Sequence, residues 1–327
     1  MWRPDWWCRA ARTVMPMLPI DTAARLTARA ADERWQRSAA DRRVVAENLS
    51  LVLGRPIDEW AIEVRDVFRH FGWYLAEFLC DARWPDTMRA IPGTDELRGH
   101  LNAAGGGIVL TAHIGNWELG AISVAGLEGG LAAVALPHAD RRMSRFFDAQ
   151  RRRGGVRTVA LGRGGTAEAL QVLRQGRWLG VVGDRDFVGD QGVPVELFGR
   201  ATLMPRGPAT LSLRAGVPIV PVFCIRESPW RFRWYSEPPI APPTRARDGW
   251  RDPRSLVEAV SALTQRYAAA IERSIRRFPT QWVVFRSLPS PSASAGPAVG
   301  SHASDAGALA AKRSGDACED VRHFAGL

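Results

Sequence analysis

Two residue types in one short stretch can do acid–base chemistry. Between Gly105 and Gly120 the chain reads GGGIVLTAHIGNWELG, with an imidazole, His113, and a carboxylate, Glu118, five residues later. An imidazole titrates near neutrality and can take a proton from a hydroxyl. Acidic groups near it can hold its tautomer and stabilise the imidazolium, as the acid does in a Ser-His-Asp triad. A second cluster, Val181-Val182-Gly183-Asp184-Arg185-Asp186, offers such acids. A third, ADRRMSRFFDAQRRR from Ala139, gathers Arg141, Arg142, Arg145 and Arg151, Arg152 and Arg153. Guanidinium groups in such numbers suit bidentate capture of phosphate or carboxylate. Plainer roles fit the same residues. His113 can be a satisfied structural residue, Glu118 can complement a helix dipole, the two aspartates can be turn acids bridged to Arg185, and most arginines can be solvated.

The elements that must position these groups follow from hydrophobic pattern. Ile108 to Ala112 is a short apolar run suited to a buried strand. Gly115 and Asn116 break it, and Asn116 is a good N-cap for a helix from Trp117 to about Ala125. His113 therefore stands at the carboxyl end of a buried strand, where open α/β sheets bind ligands. Further strands are expected at Leu131–Leu136, Val156–Leu161, Trp178–Gly183, Val217–Ile225, Arg231–Tyr235 and Gln281–Arg286, with Val193–Phe198 extended. Helices are expected at Asp140–Arg153, Thr166–Gln175, Pro205–Ala215 and Pro253–Arg277. Before the first strand, Asp41 and Asp58 are candidate caps for two helices separated by Arg55-Pro56, and Asp95–Ala103 is a short helix. Alternation of this kind predicts an α/β fold: a central, mostly parallel or mixed sheet flanked by helices, with helices at the N-terminus.

Composition narrows the partners. The 327 residues carry 46% hydrophobic side chains, enough for one large domain or two small ones. Lys+Arg number 44 against 34 Asp+Glu, a net +10 that favours anionic partners such as a membrane surface, phosphorylated lipids, acidic carrier proteins or nucleic acid. Nucleic acid is set aside, because no recognition motif and no interleaved stacking aromatics are present. Metal is not expected either. The spacing is not H-E-x-x-H, Cys8, Cys80, Cys224 and Cys318 are far apart, and the other histidines are scattered. Dispersed cysteines suit a reducing compartment. No run of 18 charge-free apolar residues exists, so no spanning helix is expected. Asp5, Arg9, Arg12 and Asp21 interrupt any signal-peptide core. Residues 1–35 mix Trp2, Trp6, Trp7, Met15, Met17, Leu18 and Trp35 with arginines, which suits either an interfacial membrane helix or a helix packed on the core. Residues 290–327 shift to Ser, Ala, Gly and Pro and are expected to be a disordered tail, leaving a domain of residues 1–289.

The ordered motifs resemble a known family. HIGNWELG resembles the H-x-x-x-x-(D/E) motif of glycerolipid acyltransferases, and more narrowly the bacterial lipid A late acyltransferases. Arg43–Leu53 (RVVAENLSLVL), Phe71–Phe78, Gly183-Asp184-Arg185-Asp186 with Pro194–Gly199, and RFPTQWVVFR from Arg277 resemble that family's other blocks in order. GDRD leans toward the phosphatidylinositol mannoside acyltransferase branch. The chain departs from the pattern at Ala139-Asp140, where many members carry Asn, and at its N-terminus, which has no apolar anchor.

The resemblance implies an O-acyltransferase of the lysophospholipid acyltransferase superfamily. The donor is acyl-CoA or acyl carrier protein and the acceptor a hydroxyl of a membrane glycolipid. His113 is the expected general base, with Glu118, Asp184 or both orienting it. Asn116, Arg151, Arg152, Arg185 and Asp186 are expected to contact substrate, and backbone amides after Gly115 or an arginine of 151–153 to hold the oxyanion. No cofactor is implied, and attachment to an anionic cytoplasmic membrane face is peripheral. A non-catalytic lipid-binding protein of the same fold is the alternative; it would not need His113, Glu118 and Asp184 intact.

Overall fold

The pattern of short apolar runs becomes a six-stranded sheet in the computed structural model, which describes residues 10–80, 83–84, 90–138, 140–162, 164–185, 192–243 and 253–289. The strands are β1 (Gly107–Thr111), β2 (Leu131–Ala135), β3 (Val156–Ala160), β4 (Trp178–Val182), β7 (Ile219–Ser228) and β8 (Arg231–Ser236). Their order is β3-β2-β4-β1-β7-β8. All pairings are parallel except β7 with β8, which is antiparallel. β5 (Val193–Leu197) and β6 (Arg200–Met204) form a separate antiparallel hairpin.

Helices cover both faces, as parallel strands require. The helices α1 (Ile20–Arg37), α2 (Ala39–Leu53), α3 (Ile62–Leu79), α4 (Thr94–Ala104), α5 (Trp117–Glu128) and α6 (Arg141–Arg153) precede β3. The helices α7 (Gly165–Arg174), α8 (Gly207–Ala215) and α9 (Pro253–Arg277) follow it. β1 alternates between two cores. Val109 joins the core that holds Phe68, Phe78, Leu97 and Phe147, while Ile108 and Leu110 join the one that holds Leu179, Leu213, Tyr267 and Ile271.

Three expectations change. Gln281–Arg286 is not a ladder strand: Pro279–Gln281 is a short 3₁₀ turn, and Trp282 makes one isolated bridge to Ile114. This apolar run is buried because it lines the loop after β1, with Val283 N–H donating to the His113 carbonyl at 2.9 Å. Asp41 lies inside the first turn of α2 and takes an ion pair from Arg34 at 2.7 Å. Asp58 accepts from the Trp60 amide, a turn ahead of α3.

The N-terminal segment is used on two faces. α1 buries Ala23, Ala24 and Ala31, and its Asp32 takes two-pronged contacts from Arg65 and Arg69 of α3. Val14, Met17, Ile20 and Leu26 are exposed. Trp2, Trp6, Trp7, Asp186 and the expected tail 290–327 lie outside the described residues. Among the described residues no helix is long and apolar enough to cross a membrane.

Candidate active site

Sheet register brings the site together. β1 and β4 are neighbours, with Thr111 paired to Val182. His113 and Asp184 each lie two residues beyond that pair, so both leave the carboxyl edge at the same level. The His113 Nδ1 is 2.7 Å from Asp184 Oδ1. The His113 amide donates to Asp184 Oδ2 at 3.0 Å, and the Trp282 indole N–H donates to the same oxygen at 2.9 Å. Asp184 is thus buried with three donors around it. Burial works to raise its pKa, but the charge and hydrogen bonds of His113 and the Trp282 bond outweigh it, so the carboxyl sits below its ordinary value. An ionised carboxylate only accepts hydrogen bonds. The ring nitrogen facing it therefore carries the proton, which in the neutral ring leaves the lone pair on Nε2.

Glu118 does not reach the imidazole. It is held by Arg151 of α6, with Nη2 to Oε1 at 2.6 Å and Nε to Oε2 at 3.0 Å. The pair is largely buried, and Glu118 raises the pKa of Arg151 against the opposing effect of burial. Trp117 spans the gap. Its ring stacks on Tyr74 at 4.0 Å and meets the edge of His113 at 5.0 Å. Burial, then the charge of Glu118, pushes the Tyr74 phenol pKa well up, so it stays neutral.

The turn that presents His113 needs glycine at position 115. Gly115 has φ +63°, and a Cβ there would lie 2.1 Å from the Cys224 carbonyl oxygen. Asn116 caps α5 as its spacing suggested, its side-chain oxygen accepting from the Leu119 amide at 3.1 Å. Its amide nitrogen donates to Glu77 Oε2 at 2.9 Å. Asn116 is fully buried and does not line the cavity, so it acts on the turn and not on substrate. The amides of Gly115 and Asn116 are spent on the Gln281 and Cys224 carbonyls.

Pattern reading missed the support behind this turn. Glu77 receives Arg226 Nε at 2.8 Å and Nη2 at 2.5 Å, and Arg226 also meets His70 Nδ1 at 3.0 Å. Gln281 brackets Arg226 through its backbone amide and carbonyl, at 2.9 and 2.8 Å. Burial and the Arg226 charge hold His70 well below its usual pKa, hence neutral. The available signal was a charge inside an apolar run, Glu77 in LAEFL and Arg226 in VFCIRE, because a buried charge must be paired.

A cavity of about 860 Å³ opens at this edge and is lined by His113, Trp117, Glu118, Arg151 and Arg185, with many apolar side chains. Arg152 is exposed, bonds the Asp148 carbonyl and does not line it. The cavity therefore collects His113, Glu118, Arg151 and Arg185, with Asp184 buried behind His113, and leaves Asn116 and Arg152 outside it. Among the described residues no three His, Cys, Asp or Glu side chains gather as a metal site.

The chain that folds in this way matches a family model. The model described as bacterial lipid A biosynthesis acyltransferase covers residues 2–288, and the chain belongs to this family. A phosphatidylinositol mannoside acyltransferase of Mycolicibacterium smegmatis is 29% identical over 193 residues, 58% of this chain and 58% of the relative. Proteins of the same name from two Mycobacterium tuberculosis strains are each 28% identical over 199 residues, 59% of this chain and 58% of theirs. The match thus spans less than two thirds of these relatives' length.

Proposed function

We propose that the protein transfers a fatty acyl group from a thioester, acyl-CoA or acyl carrier protein, to a hydroxyl of a membrane glycolipid. The observation that carries this reading is the His113–Asp184 pair, with His113 lining a large, mostly apolar cavity. A sugar hydroxyl is a poor nucleophile at neutral pH. His113 Nε2 takes its proton as the oxygen attacks the thioester carbonyl, and Asp184 balances the imidazolium that forms. The C–O bond forms, the tetrahedral intermediate collapses, the C–S bond breaks, and the imidazolium proton passes to the departing thiolate. Asp184 is the triad-like acid in this reading. Glu118 fixes Arg151 at the cavity wall, and Arg151 and Arg185 supply positive charge for the oxyanion and for anionic parts of the substrates. The names of the relatives favour a phosphatidylinositol mannoside as acceptor.

The test is turnover of a labelled acyl thioester with a purified glycolipid acceptor. His113→Ala is expected to lose about 10²–10⁴-fold while its circular dichroism stays that of the wild type. Near-normal turnover in the folded variant removes His113 from the mechanism. Membrane attachment is read as peripheral, on the cytoplasmic face. Its support is the exposed apolar set of Val14, Met17, Ile20 and Leu26 together with the net charge. Flotation with anionic vesicles is expected, weakening with salt. Release by detergent alone, and not by salt or carbonate, contradicts it.

A further inference from the structure

The cavity has unequal directions, and the difference names a specificity determinant. Paired residues of parallel neighbours share a face, so Val109 and Thr111 of β1 share one with Gly180 and Val182 of β4, and His113 follows two residues beyond Thr111. Ala133 of β2 pairs with Gly180 and joins them. From His113 the same face continues the other way. Val109 pairs with Val220, so the same face carries Val222 and Cys224 on β7, and Cys224 pairs with Trp234 of β8.

Toward β8 the cavity is bounded by Val222, Cys224 and Trp234. The indole of Trp234 is buried and packs beside Gly120, whose ideal Cβ would lie 3.5 Å from it. Toward β2 it stays open. A strand in the middle of a sheet covered on both faces should be sealed, and β1 is buried through Leu110. Yet β4 is only half-buried from Gly180 to Val182, and β2 from Ala133 to Ala135. The accessible area is interior, because Ala133, Gly180 and Val182 all line the cavity, under Val124 of α5 and Phe147 of α6. Gly180 and Ala133 are small and stand side by side. They form a floor where larger side chains would fill the space between sheet and helices. Two strand spacings across and about four residues down make a trough on the order of 16 Å from His113.

Among the described residues, the charged side chains that line the cavity are Glu118, Arg151, Arg185 and Arg206. Arg206 and Gly207, at the start of α8, line the cavity together with Leu161, Gly165 and Thr166. Arg206 there suits the anionic parts of the substrates.

We propose that the acyl chain lies in this trough, and that Ala133 and Gly180 set the longest chain the protein accepts. The inference rests on the acyl-transfer reading and adds the direction of the chain and the residues that measure it. Ala133→Leu puts a branched side chain into the trough. Gly180→Ala is a smaller step, since its Cβ would lie 3.3 Å from a Leu131 methyl group. One methylene of fit in an apolar pocket discriminates by about 10–200-fold.

The experiment supplies wild type, Ala133→Leu, Gly180→Ala and Trp234→Ala with a series of saturated acyl thioesters of increasing length, and reads the ratio of kcat/KM between chains. Ala133→Leu is expected to lower the ratio of the longest accepted chain to shorter ones by about tenfold or more. Gly180→Ala is expected to move it the same way by less, and Trp234→Ala to leave the preferred length where it is. An unmoved profile in folded Ala133→Leu overturns the inference, as does a longer preferred chain in Trp234→Ala. If Ala133→Leu does not fold, Gly180→Ala decides by the same ratio. Wild type that transfers no chain of any length sinks the acyl-transfer reading instead, a result separate from a wild type that transfers but is not measured by Ala133.

Discussion

Replacing Asp184 with asparagine tests the proposed mechanism without removing a ligand-sized volume. The carboxylate satisfies three N–H donors: His113 Nδ1 on Oδ1, and the His113 amide and Trp282 indole on Oδ2. Asparagine has one oxygen and one NH₂ group. Placing the oxygen at the Oδ2 position keeps two bonds and turns the NH₂ toward Nδ1. That third bond then forms only if Nδ1 gives up its proton, which moves to Nε2. The arrangement with every hydrogen bond made is therefore the one whose Nε2 cannot act as a base. The opposite flip sets an NH₂ against two buried donors and costs more. The expected outcome is a fall of about 10²–10⁴-fold in kcat, or about 2.7–5.4 kcal/mol in barrier. The variant keeps the buried shape, so its melting temperature should change little. Trp282→Phe is the control. It removes one donor and leaves the acid charged, so the loss should stay under about tenfold. The assay is steady-state acyl transfer with thermal melts on the same preparations. An Asp184→Asn variant within about threefold of wild type refutes the tautomer argument.

Two further outcomes follow from pairs elsewhere in the structure. Glu118→Gln leaves Arg151 charged and mostly buried without its carboxylate, so the melting temperature should fall by an amount equivalent to about 2–4 kcal/mol. Adding Arg151→Met should recover part of that loss in a double-mutant cycle, and strictly additive losses would show that the pair is not coupled. Acid should weaken the α1–α3 contact. Partial burial raises the Asp32 pKa, but hydrogen bonds and charge from Arg65 and Arg69 outweigh it and bring it from 3.8 to about 2. A depressed acid contributes stability that is present above pH 3.8 and lost as pH falls toward 2. With screening, that is about 1 kcal/mol. The stability gap between wild type and Asp32→Asn in denaturant titrations should close over that window, and a gap independent of pH would contradict it.

Much of the layout was legible because it rests on local chemistry. Glycines ahead of an apolar run, Gly115 and Asn116 after it, and alternating strand and helix patterns put His113 at a strand end and α5 behind it. Those features act over a few residues, and single-chain reading handles them. What no local pattern carries is partnership. Whether Asp184 or Glu118 meets the imidazole depends on β4 lying beside β1, although β2, β3 and three helices separate them along the chain. Strand order is a property of the whole sheet. The same holds for Arg151, whose claim on Glu118 comes from α6 packing against α5, and for the Glu77–Arg226 pair, which joins α3 to β7. RFPTQWVVFR looks like a strand because its alternation is apolar, but its burial comes from lining a loop and not from a ladder. The sequence by itself determined which groups could do chemistry and at which chain breaks they would stand. Only the tertiary structure decided which acid lies beside the histidine, because packing sets distance between residues far apart in the chain, and distance decides which pair forms.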